Sequence, residues 1–306
     1  MMNTKHLLSS LILLAFSCFS FAQKSQNEMP QDAYVPVSKE NRQTSPAYQF
    51  SGSHFFFTQV NVDENGNNIV GDAANEPSIA VSPVDSNKMV IGWRQFDNIS
   101  SSFRQAGFGY TLDAGQSWTF PGVIQPGVFR SDPVLDVDAE GRFYYNSLTS
   151  NNGQFNCDIF RSTGDGTWDE GTFAYGGDKQ WMTIDKSGGA GQGNIYENWN
   201  VGFTYCPGGN FTRSTDAGET YDSCSFQDAE IYWGTLEVGA AGELYAAGAT
   251  GMVAKSFDAQ TSAGAPTWEF SFANLGGNMS SFAGESPNPG GVLGQMWVDS
   301  DRSGSA

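Results

Sequence analysis

Charged side chains are scarce in this chain, and basic ones are the scarcest. Only 16% of the 306 residues are charged, and 33 acidic residues outnumber 15 lysines and arginines, which leaves a formal net charge of −18. A surface this negative repels phosphate backbones and anionic lipids, so neither nucleic-acid binding nor electrostatic docking to a membrane is expected. With 39% apolar residues, the composition is typical of a globular protein and excludes a coiled coil or a charge-driven disordered chain.

Histidine and cysteine are also rare, which limits the chemistry available to a site. Only His54 lies outside the N-terminal segment, so neither a Ser-His-Asp triad nor a histidine metal site is expected. The four cysteines show no Cys-x-x-Cys spacing, which argues against thiolate-bound zinc, and we assign no metal site. Cys206 and Cys224 flank one copy of a repeated motif and are candidates for a disulfide, whereas Cys157 stands alone.

The N-terminus has the features of an export signal. A short basic region precedes the apolar run LLSSLILLAFSCFSFA, and Ser20-Phe21-Ala22 fits a small-x-small cleavage site. Residues 1–22 are therefore predicted to be a signal peptide, and the polar residues 23–49 a flexible leader. The apolar run is short for a membrane span, and no candidate span follows it in the mature chain. We expect a secreted or cell-surface protein, with the periplasm as an alternative.

Short runs of β-branched and aromatic residues fill the rest of the chain. These runs alternate with clusters of Gly, Asn, Asp and Ser, and no amphipathic helical pattern interrupts them. The predicted strand regions are HFFFTQVNV, PSIAVSP, KMVIGWRQF, PVLDVDAEGRFYYNSL and NIYENWN. The sequence therefore predicts an all-β protein.

A motif of the form Ser/Thr-x-Asp-x-Gly-x-Thr/Ser-aromatic recurs along the chain. It is nearly complete in YTLDAGQSWTF and RSTDAGETYDS, and RSTGDGTWDEG and KSFDAQTSAGAPTWEF are degenerate relatives. An aspartate in a tight turn accepts hydrogen bonds from backbone N–H groups further along the chain, and glycine allows a positive φ there. The motif therefore predicts structural turns rather than catalytic carboxylates. The aspartates of these turns are Asp113, Asp165, Asp216 and Asp258.

A second repeat lies between the copies of the first. NEPSIAVSP, SDPVLDVDAEGRFYYNSL, DKQWMTIDKSGGAGQGNIYENWN and YWGTLEVGAAGELYAAG follow one plan, in which an apolar strand comes after a polar or aromatic start. Together the repeats describe four-stranded units about 40 to 50 residues apart, which is the pattern of a β-propeller. The C-terminal GQMWVDSDRSGSA aligns with DKQWMTIDKSGGA. Residues 50–306 are therefore expected to be an incomplete propeller domain with four blades and the start of a fifth.

The turn motif resembles the Asp-box (BNR) repeat of the sialidase superfamily, over roughly residues 50–306. The resemblance implies an exported propeller, usually of six blades, with its Asp boxes on the face away from the catalytic centre. It also implies a site in which three arginines clamp a carboxylate, a Tyr paired with a Glu acts as nucleophile, and an Asp as acid/base. The Arg-Ile-Pro element that carries the first of these arginines is missing, because Glu76 precedes the proline of NEPSIAV. That departure weighs against sialic-acid specificity.

The candidate site residues lie where the first strand of each blade begins. Aligning the blades places four residues at equivalent positions, namely Glu76, Asp132, Lys179 and Trp233. Carboxylates at a central channel would provide the acid and the base or nucleophile of glycoside hydrolysis, and cations would hold a substrate carboxylate. The predicted catalytic residues are Glu76, Asp132 and Asp178. The predicted substrate-binding residues are Arg94, Arg130, Lys179, Trp181 and Trp233, with Arg104 as a further candidate. The alternative is that these side chains cap strand ends and pair with one another along a wet channel.

Two functions follow from this interpretation and stay open at this point. The first is an exported, sialidase-like propeller that recognises an extracellular glycan or glycoprotein and hydrolyses it as an exo-α-sialidase-like enzyme. The second is a non-catalytic propeller that serves as a surface binding module or scaffold. No cofactor is indicated, although the acidic turns VDENGNN and DVDAEG contain oxygen ligands of the kind that bind Ca²⁺. Hairpin turns explain the same residues without a metal.

Overall fold

Nineteen β-strands make up the regular structure that a computed structural model of the protein describes. The described residues are 32–38, 42–202, 204–227, 231, 233–249, 251–274 and 296–302. The predicted signal peptide lies outside them. No helix in these ranges is long or apolar enough to cross a bilayer. The prediction of an all-β fold is confirmed.

Four short strands precede the main sheets. Strand β1 (Thr44–Pro46) pairs with β4 (Asn67–Ile69), and β2 (Gln49–Ser51) pairs with β3 (Phe56–Thr58), in both cases antiparallel. β-structure therefore begins before residue 50, inside the stretch that the sequence assigns to the leader. Of the predicted strand HFFFTQVNV, only three residues form β3.

Four sheets follow in chain order, and we number them as blades 1 to 4. Blade 1 contains β5 (Ala73–Val81), β6 (Met89–Phe96), β7 (Gln105–Thr111) and β8 (Thr119–Ile124). Blade 2 contains β9 (Ser131–Val137), β10 (Phe143–Asn151), β11 (Gln154–Ser162) and β12 (Thr172–Phe173). Blade 3 contains β13 (Trp181–Ile184), β14 (Ile195–Asn198) and β15 (Phe211–Ser214). Blade 4 contains β16 (Thr235–Val238), β17 (Leu244–Ala247), β18 (Met252–Ser256) and β19 (Glu269–Phe272).

The blades meet through their first strands. In each sheet, consecutive strands are antiparallel neighbours. Strand β5 contacts β9, β9 contacts β13, and β13 contacts β16, so each first strand lies beside that of the next blade. Sheets that touch in sequence through their innermost strands form a β-propeller, as the repeats predict.

Apolar side chains fill the space between neighbouring blades. Blades 1 and 2 share a buried cluster that includes Val90, Phe108, Leu135, Tyr145 and Phe160. Blades 2 and 3 share Val134, Tyr144, Ile159, Ile184 and Ile195, and blades 3 and 4 share Tyr196, Phe211, Leu236 and Leu244. Because the side chains of a strand alternate between its two faces, each blade presents one set of apolar side chains to the blade before it and another set to the blade after it. This packing fixes the first strands relative to one another.

The repeated aspartates lie in turns that follow the third strand of each blade. Asp113 accepts hydrogen bonds from the Thr111 hydroxyl (2.7 Å), the Ser117 N–H (2.9 Å) and the Ser117 hydroxyl (2.6 Å). The same three bonds join Asp216 to Ser214 and Thr220, and Asp258 to Ser256 and Thr267. Asp165, in the shorter turn, accepts bonds from the N–H and hydroxyl of Thr167. Each aspartate is therefore fixed within its turn.

These turns and the starts of the first strands lie at opposite ends of the blades. The register pairs Thr111 with Met89, and Met89 with Val81. The turn of Asp113 is therefore at the C-terminal end of β5, whereas Glu76 is near its N-terminal end. We call the side of the propeller at the N-terminal ends of β5, β9, β13 and β16 the channel face.

A disulfide holds the irregular part of blade 3. Cys206 and Cys224 are bonded, with their Cα atoms 6.4 Å apart. The residue after this pair, Ser225, bridges to Phe211 at the start of β15. The disulfide thus connects the loop before β15 to the segment that follows the turn of Asp216. Cys157, in blade 2, is a buried free thiol.

Candidate binding site at the channel face

Near the N-terminal end of the first strand of every blade, one residue has the left-handed backbone conformation. The φ angles are 51° at Glu76, 45° at Asp132, 56° at Lys179 and 44° at Trp233. These are the four positions that the alignment of blades makes equivalent. Residues other than glycine rarely adopt such angles. In blades 1 and 2 the strand pairing is also interrupted at this residue, as between Asn75 and Ser78 on β5. A bulge of this kind redirects a side chain out of the regular alternation.

Arg94, on β6, connects the bulges of blades 1 and 2. Its Nη2 lies 2.6 Å from Glu76 Oε1, and its Nη1 lies 3.9 Å from Asp132 Oδ1. Its Nε donates a hydrogen bond to Asn75 Oδ1 (2.8 Å). The Arg94 side chain is only 13% exposed, while that of Glu76 is 46% exposed. One largely buried cation therefore holds a solvent-facing carboxylate and a buried one.

Asp132 is the most firmly held carboxylate of the group. Lys179 Nζ donates to its Oδ2 (3.1 Å), and the Ser131 hydroxyl donates to its Oδ1 (2.7 Å). The side-chain amide of Gln180 donates to its carbonyl. Burial opposes the charge, but Lys179, Ser131 and Arg94 outweigh it and hold the pKa of Asp132 below its usual value. Asp132 is therefore suited to act as an acceptor, base or nucleophile rather than as an acid.

Asp178 and Asn200 extend the arrangement to blades 3 and 4. Lys179 Nζ lies 3.9 Å from Asp178 Oδ1, and the Asp178 carbonyl accepts a hydrogen bond from the Asn200 N–H (2.9 Å). The side-chain oxygen of Asn200 in turn accepts one from the Trp233 N–H (3.1 Å). Interacting polar groups thus run from blade 1 to blade 4. We call Glu76, Arg94, Asp132, Asp178 and Lys179 the charged cluster.

Arg130 does not join the charged cluster, contrary to the role that the sequence suggests. Its Nη1 lies 2.7 Å from Asp158 Oδ2, and its guanidinium lies 5.0 Å from the ring centroid of Phe160. The side chain is 3% exposed. Arg130 therefore points into blade 2, where it pairs with Asp158 instead of with a carboxylate of the charged cluster.

Two other candidates serve the packing around the cluster. Trp181 packs edge-on against Trp297, with ring centroids 4.5 Å apart, so its ring is engaged with another side chain. Arg104 is buried, and its Nε donates to the Ser131 hydroxyl (3.1 Å). Because Ser131 in turn donates to Asp132, Arg104 acts on the cluster through that serine. The sequence interpretation overlooked Ser131, whose only signal was its place directly before Asp132.

The acidic turns considered for Ca²⁺ use their carboxylates within the turn. Asp63 Oδ1 accepts hydrogen bonds from the N–H groups of Asn65 (2.9 Å) and Asn67 (2.8 Å). Asp138 Oδ1 likewise accepts from the N–H groups of two residues that follow it, at 3.1 and 2.7 Å. Within the described ranges, no three His, Cys, Asp or Glu side chains are grouped so as to hold a metal ion.

Comparisons by sequence find no matching protein family and no matching curated protein. Comparison of structures finds a Dyadobacter fermentans protein of unknown function, with 16% identity and a TM-score of 0.44 over 66% of this chain and 72% of that one. An α-L-arabinanase of Penicillium chrysogenum has 9% identity and a TM-score of 0.45, over 75% and 74% of the two chains. A Hadza microbial sialidase has 12% identity and a TM-score of 0.44, over 66% of this chain. The chain spans 46% of the length of that sialidase.

Proposed function

We propose that the protein is a propeller that binds a carbohydrate at the channel face. The observation that carries this proposal is the charged cluster, in which three carboxylates and two cations from three blades meet at the starts of the first strands. Sugar hydroxyls both donate and accept hydrogen bonds, so they can bond to carboxylates and to Arg or Lys at once. The cluster bears a formal charge of −1, which favours a neutral sugar over an acidic one.

Further support for a sialidase-like propeller outside the cytoplasm comes from the sequence. The turns of Asp113 and Asp216 resemble Asp boxes, and the N-terminal segment resembles a signal peptide. We propose on these grounds that the protein is exported and that its partner is an extracellular glycan or glycoprotein. The missing Arg-Ile-Pro element and the position of Arg130 both argue against a three-arginine clamp for sialic acid.

Hydrolysis of the bound glycan is a second candidate function. It is favoured by the different environments of two carboxylates that share Arg94, since Asp132 is buried and charged while Glu76 faces solvent. Glycosidases need one group as base or nucleophile and another as acid. In this scheme Asp132 is the base or nucleophile, and Glu76 is the acid once the bound sugar displaces it from Arg94 and it takes up a proton. Without turnover, the protein is a binding module that uses the same residues.

A glycan array combined with a hydrolysis panel tests both functions. We expect the wild-type protein to retain a subset of neutral oligosaccharides, and Glu76→Gln to weaken that binding. Glu140→Gln is the matched control, because Glu140 is an exposed carboxylate in the turn after β9, at the opposite end of the blades. If the wild-type protein binds no glycan, the proposal is wrong.

Turnover distinguishes the enzyme from the module. Hydrolysis that disappears in Asp132→Asn, with the variant still folded by circular dichroism, supports catalysis by the cluster. Binding without hydrolysis supports the module. Hydrolysis that survives in both Asp132→Asn and Glu76→Gln contradicts the assignment of these two residues.

A further inference from the structure

A groove at the channel-face end of blade 1 lies between the N-terminal segment and the loop that joins β6 to β7. It has a volume of about 350 Å³, and its walls include Tyr34 and Phe103 on the apolar side and Asp97, Asn98 and Gln105 on the polar side. The loop connects the ends of β6 and β7 that lie at the channel face, because Gln95 pairs with Gln105 at this end. The groove is therefore on the same face as Arg94.

The N-terminal wall of the groove is held in place by specific contacts. The Asp32 N–H donates to the Ser102 hydroxyl (3.2 Å), and the Ser102 N–H donates to Asp32 Oδ2 (2.7 Å). The Tyr34 ring lies 5.3 Å from that of Phe103 and also approaches Gly127, where a Cβ atom would lie 3.3 Å from it. This part of the predicted leader thus forms one side of a defined groove.

The polar wall is also fixed in orientation. Gln105 Nε2 donates to Asp97 Oδ2 (2.9 Å), while Gln105 Oε1 accepts from the Gly127 N–H (2.7 Å). Asp97 Oδ1 lies 3.6 Å from Arg42 Nη2. An aromatic wall facing a few oriented polar groups is the usual composition of a small-ligand site, and 350 Å³ is near the lower end of such sites. Aromatic rings pack on the C–H faces of sugars, and amides and carboxylates bond to their hydroxyls. Gln105 is buried and serves to orient Asp97, so Asp97 and Asn98 are the groups that face a ligand.

The groove and the charged cluster are connected by adjacent residues. Arg104 stands between Phe103 and Gln105 in the chain, and its Nε donates to Ser131, which donates to Asp132. We infer that the groove is a second sugar subsite, so that the ligand is an oligosaccharide that extends from the charged cluster to Tyr34. This inference rests on the proposed function, since it assigns the length of the ligand bound at that site.

Glycan length is the variable that tests the inference. The probe is an array of defined neutral mono-, di-, tri- and tetrasaccharides, on which the binding of the wild-type protein, Tyr34→Ala and Tyr34→Phe is measured. We expect Tyr34→Ala to bind the longer glycans about three- to tenfold more weakly, the loss typical of one aromatic contact, and the monosaccharides unchanged. Tyr34→Phe keeps the ring and should bind like the wild type. Because Tyr34 lies outside the blades, neither change should unfold the propeller.

Tyr48→Ala is the matched control, since Tyr48 is 75% exposed in the N-terminal segment and does not line the groove. If Tyr34→Ala binds all lengths as the wild type does while Glu76→Gln binds them more weakly, the subsite is refuted and the proposed function stands. If the wild-type protein retains no glycan of any length, both are refuted.

Discussion

Glu197 is fully buried between blades 2 and 3, and its protonation should control how stability depends on pH. It lies on β14 of blade 3 and is close to the side chains of Asn146 and Cys157 of blade 2, but within the described residues neither of its carboxyl oxygens has a hydrogen-bond partner. Burial, with a smaller contribution from the nearby charge of Asp158, raises the pKa of Glu197 from 4.5 to about 8. The folded protein therefore keeps this carboxyl neutral at pH 7.

The size of the effect follows from proton linkage. Between pH 4.5 and 8 the unfolded chain has lost the proton of Glu197, whereas the folded chain still carries it. The unfolded state thus binds fewer protons, so the free energy of unfolding falls as the pH rises, by about 1.4 kcal/mol per pH unit. Over the whole interval the loss is on the order of 5 kcal/mol, a large share of the stability of an ordinary domain.

Glu197→Gln removes this titration and should remove the slope that it causes. We expect urea unfolding, followed by tryptophan fluorescence from pH 5 to 8.5, to show a variant that is close to the wild type at pH 5 and several kcal/mol more stable at pH 8. The other titrating groups are present in both proteins, so their contributions cancel in the difference between the two free energies of unfolding. Burial also raises the pKa of Cys157 and of Tyr221 well above the usual values, so both stay neutral across this range.

Glu140→Gln, which removes an exposed carboxyl, is the control and should follow the wild-type profile. Parallel profiles for the wild type and Glu197→Gln between pH 5 and 8 would show that Glu197 is not protonated in the folded protein, and the reasoning would be wrong.

Three further perturbations probe the scaffold. Reducing the disulfide between Cys206 and Cys224, which are 18 residues apart, should lower the free energy of unfolding by about 3 kcal/mol, and equal urea midpoints with and without reductant would contradict this. Asp216→Ala removes three turn hydrogen bonds and should lower it by about 1 kcal/mol. Burial opposes the charge of Asp216, but those bonds outweigh it and lower its pKa. The contribution of Asp216 to the free energy of unfolding should therefore be present at neutral pH and be lost as the pH falls below 4; thermal unfolding at pH 7 and at pH 3 measures both effects. Gly92→Ala would place a Cβ 2.4 Å from the Tyr145 ring, so we expect the free energy of unfolding in urea to fall by about 1–3 kcal/mol. A variant as stable as the wild type would show that blades 1 and 2 can move apart to make room for the added methyl group.

The positions of the site could be predicted from sequence because they belong to the repeat. Glu76, Asp132, Lys179 and Trp233 differ in size, charge and polarity, yet each has a φ between 44° and 56° at the start of its blade. An unusual backbone angle shared by four unlike residues comes from the geometry of the blade, not from the side chain. Aligning the repeats therefore identified four positions that share one backbone conformation, without any knowledge of the bulge.

The directions of the side chains could not be predicted in the same way. A strand alternates its side chains with a period of two, but a bulge breaks that alternation. Arg130 stands two residues before Asp132 and was expected to accompany it, whereas Arg94 of the neighbouring blade is the arginine that contacts Asp132. Glu197 was predicted to lie in a strand, which is correct. Its burial depends on how blade 3 packs against blade 2, and the sequence of a single strand does not contain that information.

The pairing within the charged cluster distinguishes between classes of ligand. An acidic sugar would need Arg94 or Lys179 as its partner, and either cation would then have to move away from Asp132. The Asp132 side chain is 9% exposed, and leaving a buried charge without its partner costs about 3–5 kcal/mol. A neutral sugar can bond to Glu76, Arg94 and Lys179 through its hydroxyls while these pairs stay intact. The cluster should therefore discriminate against carboxylated sugars, although the turns of this propeller resemble those of the sialidase superfamily.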